Sequence, residues 1–264
     1  MDLKLTHKKA LVTGSTAGIG LAIAKELALE GADVIINGRK QEDVDKAVET
    51  LTQETSNQRV MGVAADFSKN EDVKRLLEQI PEVDILVNNV GIFNQVPFEE
   101  ISDEEWFEIF DVNVMSGVRL ARHYFPRMLK KNEGRIIFIS SESALNIPTE
   151  MVHYGMTKTA QLAVSRGLAR LSKGTNVTVN SILPGPTMSR GVEEMLEKQT
   201  GNAEQSTDEM TKEFFETQRP TSLIQRFAEV EEVAHMVAYI ASPLSSATNG
   251  AALRVDGGVA NYII

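Results

Sequence analysis

Cysteine is absent from this 264-residue chain, which excludes disulfides, thiolate nucleophiles and cysteine-ligated zinc. Basic charge is also scarce: 27 Lys and Arg face 37 Asp and Glu, a formal charge of −10. No basic block or aromatic-interleaved Lys/Arg stripe is present, so nucleic acid is not an expected partner. No apolar run approaches the roughly 20 residues that span a bilayer, so no membrane association is expected either. The first apolar run, Ala10-Leu11-Val12, is broken at once by Thr13-Gly14, which leaves no signal-peptide core and points to the cytoplasm. The four histidines, His7, His123, His153 and His235, show no H-x-x-x-H or mixed carboxylate spacing, so no metal is implied. Internal repeats, low-complexity tracts and Pro/Gly/Ser linkers are lacking as well.

What the chain does have is alternation. Short apolar runs suggest strands over 9–12, 33–36, 60–64, 85–88, 135–140, 177–182 and 252–255. Between them, 3.6-residue periodicity predicts helices over 19–30, 41–55, 70–79, 103–129, 153–173 and 230–241. This βα pattern predicts the α/β class: one doubly wound, Rossmann-type domain over 1–264, with about seven parallel strands and helices on both faces. In such sheets ligands sit at the carboxyl ends of the strands, and the unusual residues cluster there. Thr13-Gly14, Asp66, Asn88-Asn89, Ser140-Ser141 and Pro184-Gly185 each follow a predicted strand.

Two groups carry the chemistry. Tyr154 and Lys158 are four residues apart and share a helix face, and Ser141 precedes the tyrosine by 13 positions. A cation beside a phenol lowers its pKa from about 10 toward the working pH, where general acid–base catalysis is most efficient. Ser141 would hold the oxygen of a carbonyl or alcohol while Tyr154 exchanges its proton. The second group is Thr13-Gly14-Ser15-Thr16-Ala17-Gly18-Ile19-Gly20, between the first strand and first helix. Its glycines suit a phosphate cradle at a helix N-terminus, but G-x-x-x-G-x-G is neither the usual dinucleotide fingerprint nor a triphosphate loop, and an ordinary βα turn remains open.

Taken in order, Thr13 to Gly20, Asp66, Asn88-Asn89-Val90-Gly91, Asn113, Ser141, Tyr154, Lys158, Pro184-Gly185 and Val255-Asp256-Gly257-Gly258 resemble the short-chain dehydrogenase/reductase family over nearly the whole chain. The resemblance implies that Tyr154 is the catalytic acid/base and that Ser141 polarises the substrate oxygen. Lys158 would tune the tyrosine and bond the nicotinamide ribose, and Asn113 would open a helix around a water linking Lys158 to solvent. Ser140 is the competing serine, but it would point to the other face of the strand end. For the cofactor, the family implies Gly14, Ser15, Thr16, Gly18, Ile19 and Gly20 at the pyrophosphate and Asp66 at the adenine. Asn88 and Gly91 would wall the adenine-ribose side, and Pro184, Gly185 and Thr187 would meet the carboxamide. A purely structural role for the Asn-Asn-Val-Gly run, with asparagines that tie neighbouring strands together, is the lesser alternative and is compatible with backbone contact to the cofactor.

An NAD-preferring member carries an acidic residue after the second strand. Here that place reads Asn37-Gly38-Arg39-Lys40, with Gly38 at the acidic position. A small residue followed by cations favours NADP, with Arg39 on the 2′-phosphate and NAD the alternative. The stretch 188–225 corresponds to the family's substrate lid; its Met188, Met195, Leu196, Met210, Phe214 and Phe215 either line a pocket or pack helices on the body. Long helices at 103–129 and 153–173 suit assembly as a homotetramer or homodimer. The expected function is NADP(H)-dependent interconversion of a carbonyl and a secondary alcohol on a small or medium organic substrate. Alternatives are a 3-oxoacyl-thioester (acyl carrier protein) reductase, disfavoured by the negative charge, and an NAD-dependent sugar, polyol or steroid dehydrogenase. A non-catalytic dinucleotide-binding regulator is a third, which would need none of the proton machinery.

Overall fold

The runs at 10–12, 34–36, 85–87 and 136–139 are apolar without alternation because both faces of the sheet are covered there. The computed structural model describes residues 1–189, 192 and 207–263. In chain order the elements are β1 (Lys9–Val12), α1 (Gly18–Leu29), β2 (Asp33–Gly38), α2 (Gln41–Thr55), β3 (Val60–Ala64), α3 (Asn70–Gln79) and β4 (Ile85–Asn88). There follow α4 (Asp103–Phe110), α5 (Ser116–Lys131), β5 (Gly134–Ile139), α6 (Val152–Leu171), β6 (Val177–Pro184), α7 (Thr207–Thr217), α8 (Val230–Ala241) and β7 (Ala252–Val255). The seven strands form one parallel sheet in the order β3-β2-β1-β4-β5-β6-β7. Strand order reverses between β1 and β4, the place where a doubly wound sheet opens a crevice.

Strand parity sorts the core into two layers. Ala10 and Val12 of β1, Val34 and Ile36 of β2 and Ile137 of β5 face Ile23 and Leu27 of α1, Leu51 of α2 and Val233 and Val237 of α8. Leu11, Ile35, Leu86, Ile136 and Phe138 face the other way, against Leu76 of α3 and Leu120, Tyr124 and Met128 of α5. Each fully buried Leu, Ile or Val contributes about 1.5–3 kcal/mol of transfer free energy. Among the described residues, no helix is long and apolar enough to cross a membrane.

Two differences from the sequence expectation bear on the site. Strands β2 and β6 run two residues past their predicted ends, because parallel pairing continues through Gly38↔Ala64 and Pro184↔Val255. The expected continuous helix over 103–129 is divided: α4 starts at a Ser102–Glu105 capping box, and a π-helical turn at Asp111–Met115 separates it from α5. That turn holds Asn113. In the segment 188–225, α7 forms over Thr207–Thr217, where no helix had been delimited.

Candidate active site

The switch point is locked by side chains. Thr13 Oγ1 accepts from the backbone N–H groups of Asn89 (2.9 Å) and Val90 (3.1 Å), while Asn89 Nδ2 donates to the carbonyls of Thr13 (2.9 Å) and Gly14 (3.0 Å). The glycine loop is thereby held against β4. A Cβ on Gly20 would lie 2.3 Å from the Gly14 carbonyl, so only glycine permits this close turn. Helix α1 then starts at Ala17 with no side-chain cap and no acidic residue in its first turn, whereas α2, α3, α4 and α8 all carry acids there. Uncapped N–H groups and a positive dipole end without acidic competition fit a pyrophosphate.

Within this loop Ser15 departs from expectation. Its hydroxyl is fully buried, donating to Val12 O at 2.7 Å and accepting from Asn37 N at 3.0 Å. It fastens the loop to β1 and β2 and has no capacity left for phosphate. Thr16 faces outward instead: a Cβ on Gly38 would meet its Cγ2 at 2.5 Å, which leaves no room for a carboxylate side chain. Arg39 is exposed and has no ion-pair partner among the described residues. Asp66 lies near it. Burial alone would raise the Asp66 carboxyl, but hydrogen bonds from Ser68 and the charges of Lys69 and Arg39 hold it below the usual carboxylate range.

The second cluster assembles where β5 ends and α6 begins. Tyr154 and Lys158 occupy one face of α6, with Lys158 Nζ 5.4 Å from the phenol ring centroid. Ser141 shares a side-chain hydrogen bond with Tyr154 and accepts from Ser143 N at 3.1 Å. Ser140 Oγ is tied to the Lys158 carbonyl at 2.9 Å, so it braces the helix and leaves Ser141 to the phenol. Lys158 is buried and donates to Ile139 O at 3.1 Å, and burial pulls its ammonium down to about 8. Burial likewise pushes Tyr154 up to about 12, with the Ser141 hydrogen bond opposing. The expected lowering of the phenol pKa is not found: desolvation is the largest influence on Tyr154 and outweighs the Ser141 hydrogen bond and the Arg219 charge, which act to lower it.

Asn113 joins the two clusters. Its Oδ1 accepts from Ile92 N (2.8 Å), and its Nδ2 donates to Ile92 O (2.9 Å) and Thr157 Oγ1 (3.0 Å). The helix is opened at this residue, as expected, but as a π turn whose Asn113 carbonyl accepts from Gln161 Nε2 at 2.6 Å. Gly91 passes close by, and a Cβ there would stand 3.3 Å from Lys158 Nζ. Ser141, Tyr154 and Lys158 open with Ile19, Asn89, Gly91, Pro184, Gly185 and Thr187 onto one cavity of about 220 Å³. Gly185 N bonds Val255 O at 3.0 Å and Thr187 Oγ1 bonds Gly185 O at 2.9 Å, which fixes the far wall. A phenol, a hydroxyl and an ammonium therefore share one cleft with the first turn of α1 at Ile19.

A family model described as short chain dehydrogenase matches residues 8–200. The chain belongs to the short-chain dehydrogenase/reductase family. The chain is 50% identical over 263 residues to the uncharacterized oxidoreductase YvaG of Bacillus subtilis, covering 100% of both chains. Its fold matches an L-sorbose reductase from Gluconobacter frateurii complexed with NADPH and L-sorbose, with a TM-score of 0.93, 31% identity and 100% of both chains covered. It also matches an actinorhodin polyketide ketoreductase with NADPH, with a TM-score of 0.86, 29% identity and coverage of 97% and 98%. The protein is an oxidoreductase.

Several residues of the dehydrogenase lie elsewhere than the sequence suggested. Asn88 does not line the cavity, and neither do Gly14, Ser15, Thr16, Gly18, Gly20, Arg39 and Asp66; the Asn88 side chain is buried beside Gly117, whereas its neighbour Asn89 lines the cavity. His153, which the sequence marked only as no metal ligand, is fully buried, bonded through Nε2 to Asn94 Oδ1 at 2.7 Å and packed edge-on to Trp106, so it joins α4 to α6. Phe214 does two jobs, packing with Phe215 and Phe227 while also lining the cavity; Phe215 only packs. Met195 and Leu196 lie outside the described residues. Sequence reasoning missed Phe93, which meets Tyr154 edge-on at 6.0 Å, and the pair Glu142 and Arg219. Glu142 was the legible one, a charged residue directly after Ser141 at a strand end; Arg219, 77 positions away, carried no local signal.

Proposed function

We propose that the protein transfers hydride reversibly between NADP(H) and a carbonyl/secondary-alcohol pair on a small or medium organic substrate, in the cytoplasm. The observation that carries this reading is the cavity that Ser141, Tyr154 and Lys158 share with Ile19 of the glycine loop and with Asn89, Gly91 and Gly185 at the neighbouring strand ends. When bound, the dinucleotide supplies the hydride. Ser141 and Tyr154 then hold the carbonyl oxygen by two hydrogen bonds, and the neutral phenol releases its proton to that oxygen as negative charge develops. Tyr154 in its high-pKa state is a proton donor across the neutral range, which suits carbonyl reduction. Lys158 stabilises the phenolate left behind and also bonds the nicotinamide ribose. Asn113 fixes the α6 face through Thr157 and Ile92, so the donors are oriented before substrate arrives.

For the cofactor, Gly14, Thr16, Gly18, Ile19 and Gly20 would hold the pyrophosphate, Asp66, Asn89 and Gly91 the adenosine side, and Pro184, Gly185 and Thr187 the carboxamide. NADP is favoured over NAD because Gly38 has no room for a ribose-binding carboxylate and Arg39 extends unpaired beside Thr16. The relatives solved with NADPH support the same choice. We assign the segment 188–225 to a substrate lid on the single dinucleotide-binding domain. Exposed Phe107 on α4 and Leu171 on α6 support a homotetramer built on these helices.

Tyr154→Phe should leave NADPH binding unchanged and lower kcat by about 10²–10⁴-fold; turnover near the wild-type rate would overturn the role given to the phenol. Arg39→Asp should reduce kcat/KM with NADPH by about 30-fold, the equivalent of a charge-assisted hydrogen bond of ~2 kcal/mol, and spare NADH. Equal effects on both cofactors would contradict NADP selection. Sedimentation velocity should give a four-subunit species, and a monomer at micromolar concentration would refute the assembly.

A further inference from the structure

Beside the reacting groups lies an ion pair that proton transfer does not use. Glu142 directly follows Ser141, is 3% exposed and lines the same cavity as Ser141 and Tyr154. Its Oε1 accepts from Arg219 Nε at 3.0 Å and from Ser143 Oγ at 3.3 Å. Among the described residues, its Oε2 is buried with no partner. Arg219 is 11% exposed, donates through Nη1 to Gln218 O at 2.8 Å and stacks 6.0 Å from the Phe214 ring centroid. Among the described residues no hydrogen bond engages its Nη2.

A buried ion pair contributes little to stability unless the remaining lone pairs and protons of both partners are satisfied. Here they are not. Among the described residues, one carboxylate oxygen is buried without a partner and one guanidinium nitrogen makes no hydrogen bond, both on residues that line a substrate-sized cavity, so the pair can take a polar partner from the ligand. The pair also limits what that partner is. The two charges cancel, so an anionic substrate group would meet the guanidinium only against the repulsion of Glu142. A hydroxyl both donates and accepts, and thereby satisfies an acceptor and an adjacent donor together. Because Glu142 lines the same cavity as Ser141 and Tyr154, such a hydroxyl would share that cavity with the reacting carbonyl. Phe93, Met151, Phe214 and Phe227 offer apolar contact to the carbon skeleton.

We infer that Glu142 and Arg219 form a hydroxyl-recognition pair that directs the enzyme to neutral ketones carrying a hydroxyl group next to the carbonyl, the chemistry of ketoses and polyols. This rests on the carbonyl-reducing reading above. It also makes recognition depend on two distant segments, the turn after β5 and the chain after α7, so the substrate bridges them.

The test compares kcat/KM with NADPH for a ketohexose such as L-sorbose and for 2-hexanone, which lacks the hydroxyls. A site built to bond a hydroxyl leaves buried groups unpaired when the analogue lacks it, so the wild type should favour the ketohexose by about 100-fold or more. Glu142→Gln should lower that ratio at least tenfold, chiefly through the KM of the ketohexose. The double variant Glu142→Leu with Arg219→Met removes both charges at similar volume, and should reverse the preference while NADPH fluorescence reports an intact cleft. A wild-type ratio near one, or a ratio unchanged in both variants, would overturn the proposal and leave the pair as a clamp between segments. Reduction of no carbonyl compound with either cofactor would instead overturn the underlying hydride-transfer reading, and the proposal with it.

Discussion

The burial of Lys158 beneath Tyr154 is the constraint on which the active cleft depends. An ammonium that lies under a phenol ring and donates to the Ile139 carbonyl cannot move without leaving both the β5 edge and the α6 face. Much of the surrounding structure accommodates it. Ser140 fastens the α6 backbone at that same residue, Gly91 passes so close that a Cβ would stand 3.3 Å from Nζ, and Asn113 holds the segment carrying Gly91 from the far side. The π turn that presents Asn113 is therefore part of the same arrangement, although it costs regular helical hydrogen bonding.

Burial also decides the electrostatics. In water a lysine four residues from a tyrosine would simply favour the phenolate. Out of water both groups lose solvation, and each shifts toward its neutral form: the phenol to about 12 and the ammonium to about 8. The phenol thus keeps its proton across the neutral range. The other charged pair near the site, Glu142 with Arg219, acts on the phenol in opposite directions, the carboxylate raising and the guanidinium lowering its pKa.

The sheet was legible because its physics is local. Continuous apolar runs such as Ile85 to Val87 in β4 and Ile136 to Phe138 in β5 fit only strands covered on both faces, and the intervening periodic helices leave parallel pairing as the natural solution. Tyr154, Lys158 and Ser141 were legible by spacing, since helix geometry sets the first two and a strand end sets the third. What stayed hidden depends on contacts between distant segments. Nothing local distinguishes Ser15, which turns inward to Val12 and Asn37, from Thr16, which turns outward. The π turn leaves no mark in hydrophobic period, and Arg219 reaches Glu142 only after the chain has folded.

If the Lys158 side chain is buried under the phenol, its titration must differ from that of a lysine in water. A folded pKa of about 8 lies below the ordinary 10.5. The unfolded chain then binds the extra proton between these values, so this group's contribution to stability grows as pH rises through that window. The direct measurement is an NMR pH titration of the Lys158 ε-methylene in the cofactor-free protein, assigned by Lys158→Met. The account predicts a midpoint near 8; a midpoint at 10 or above would mean that the ammonium is solvated, and would contradict the buried pair from which the cleft is built.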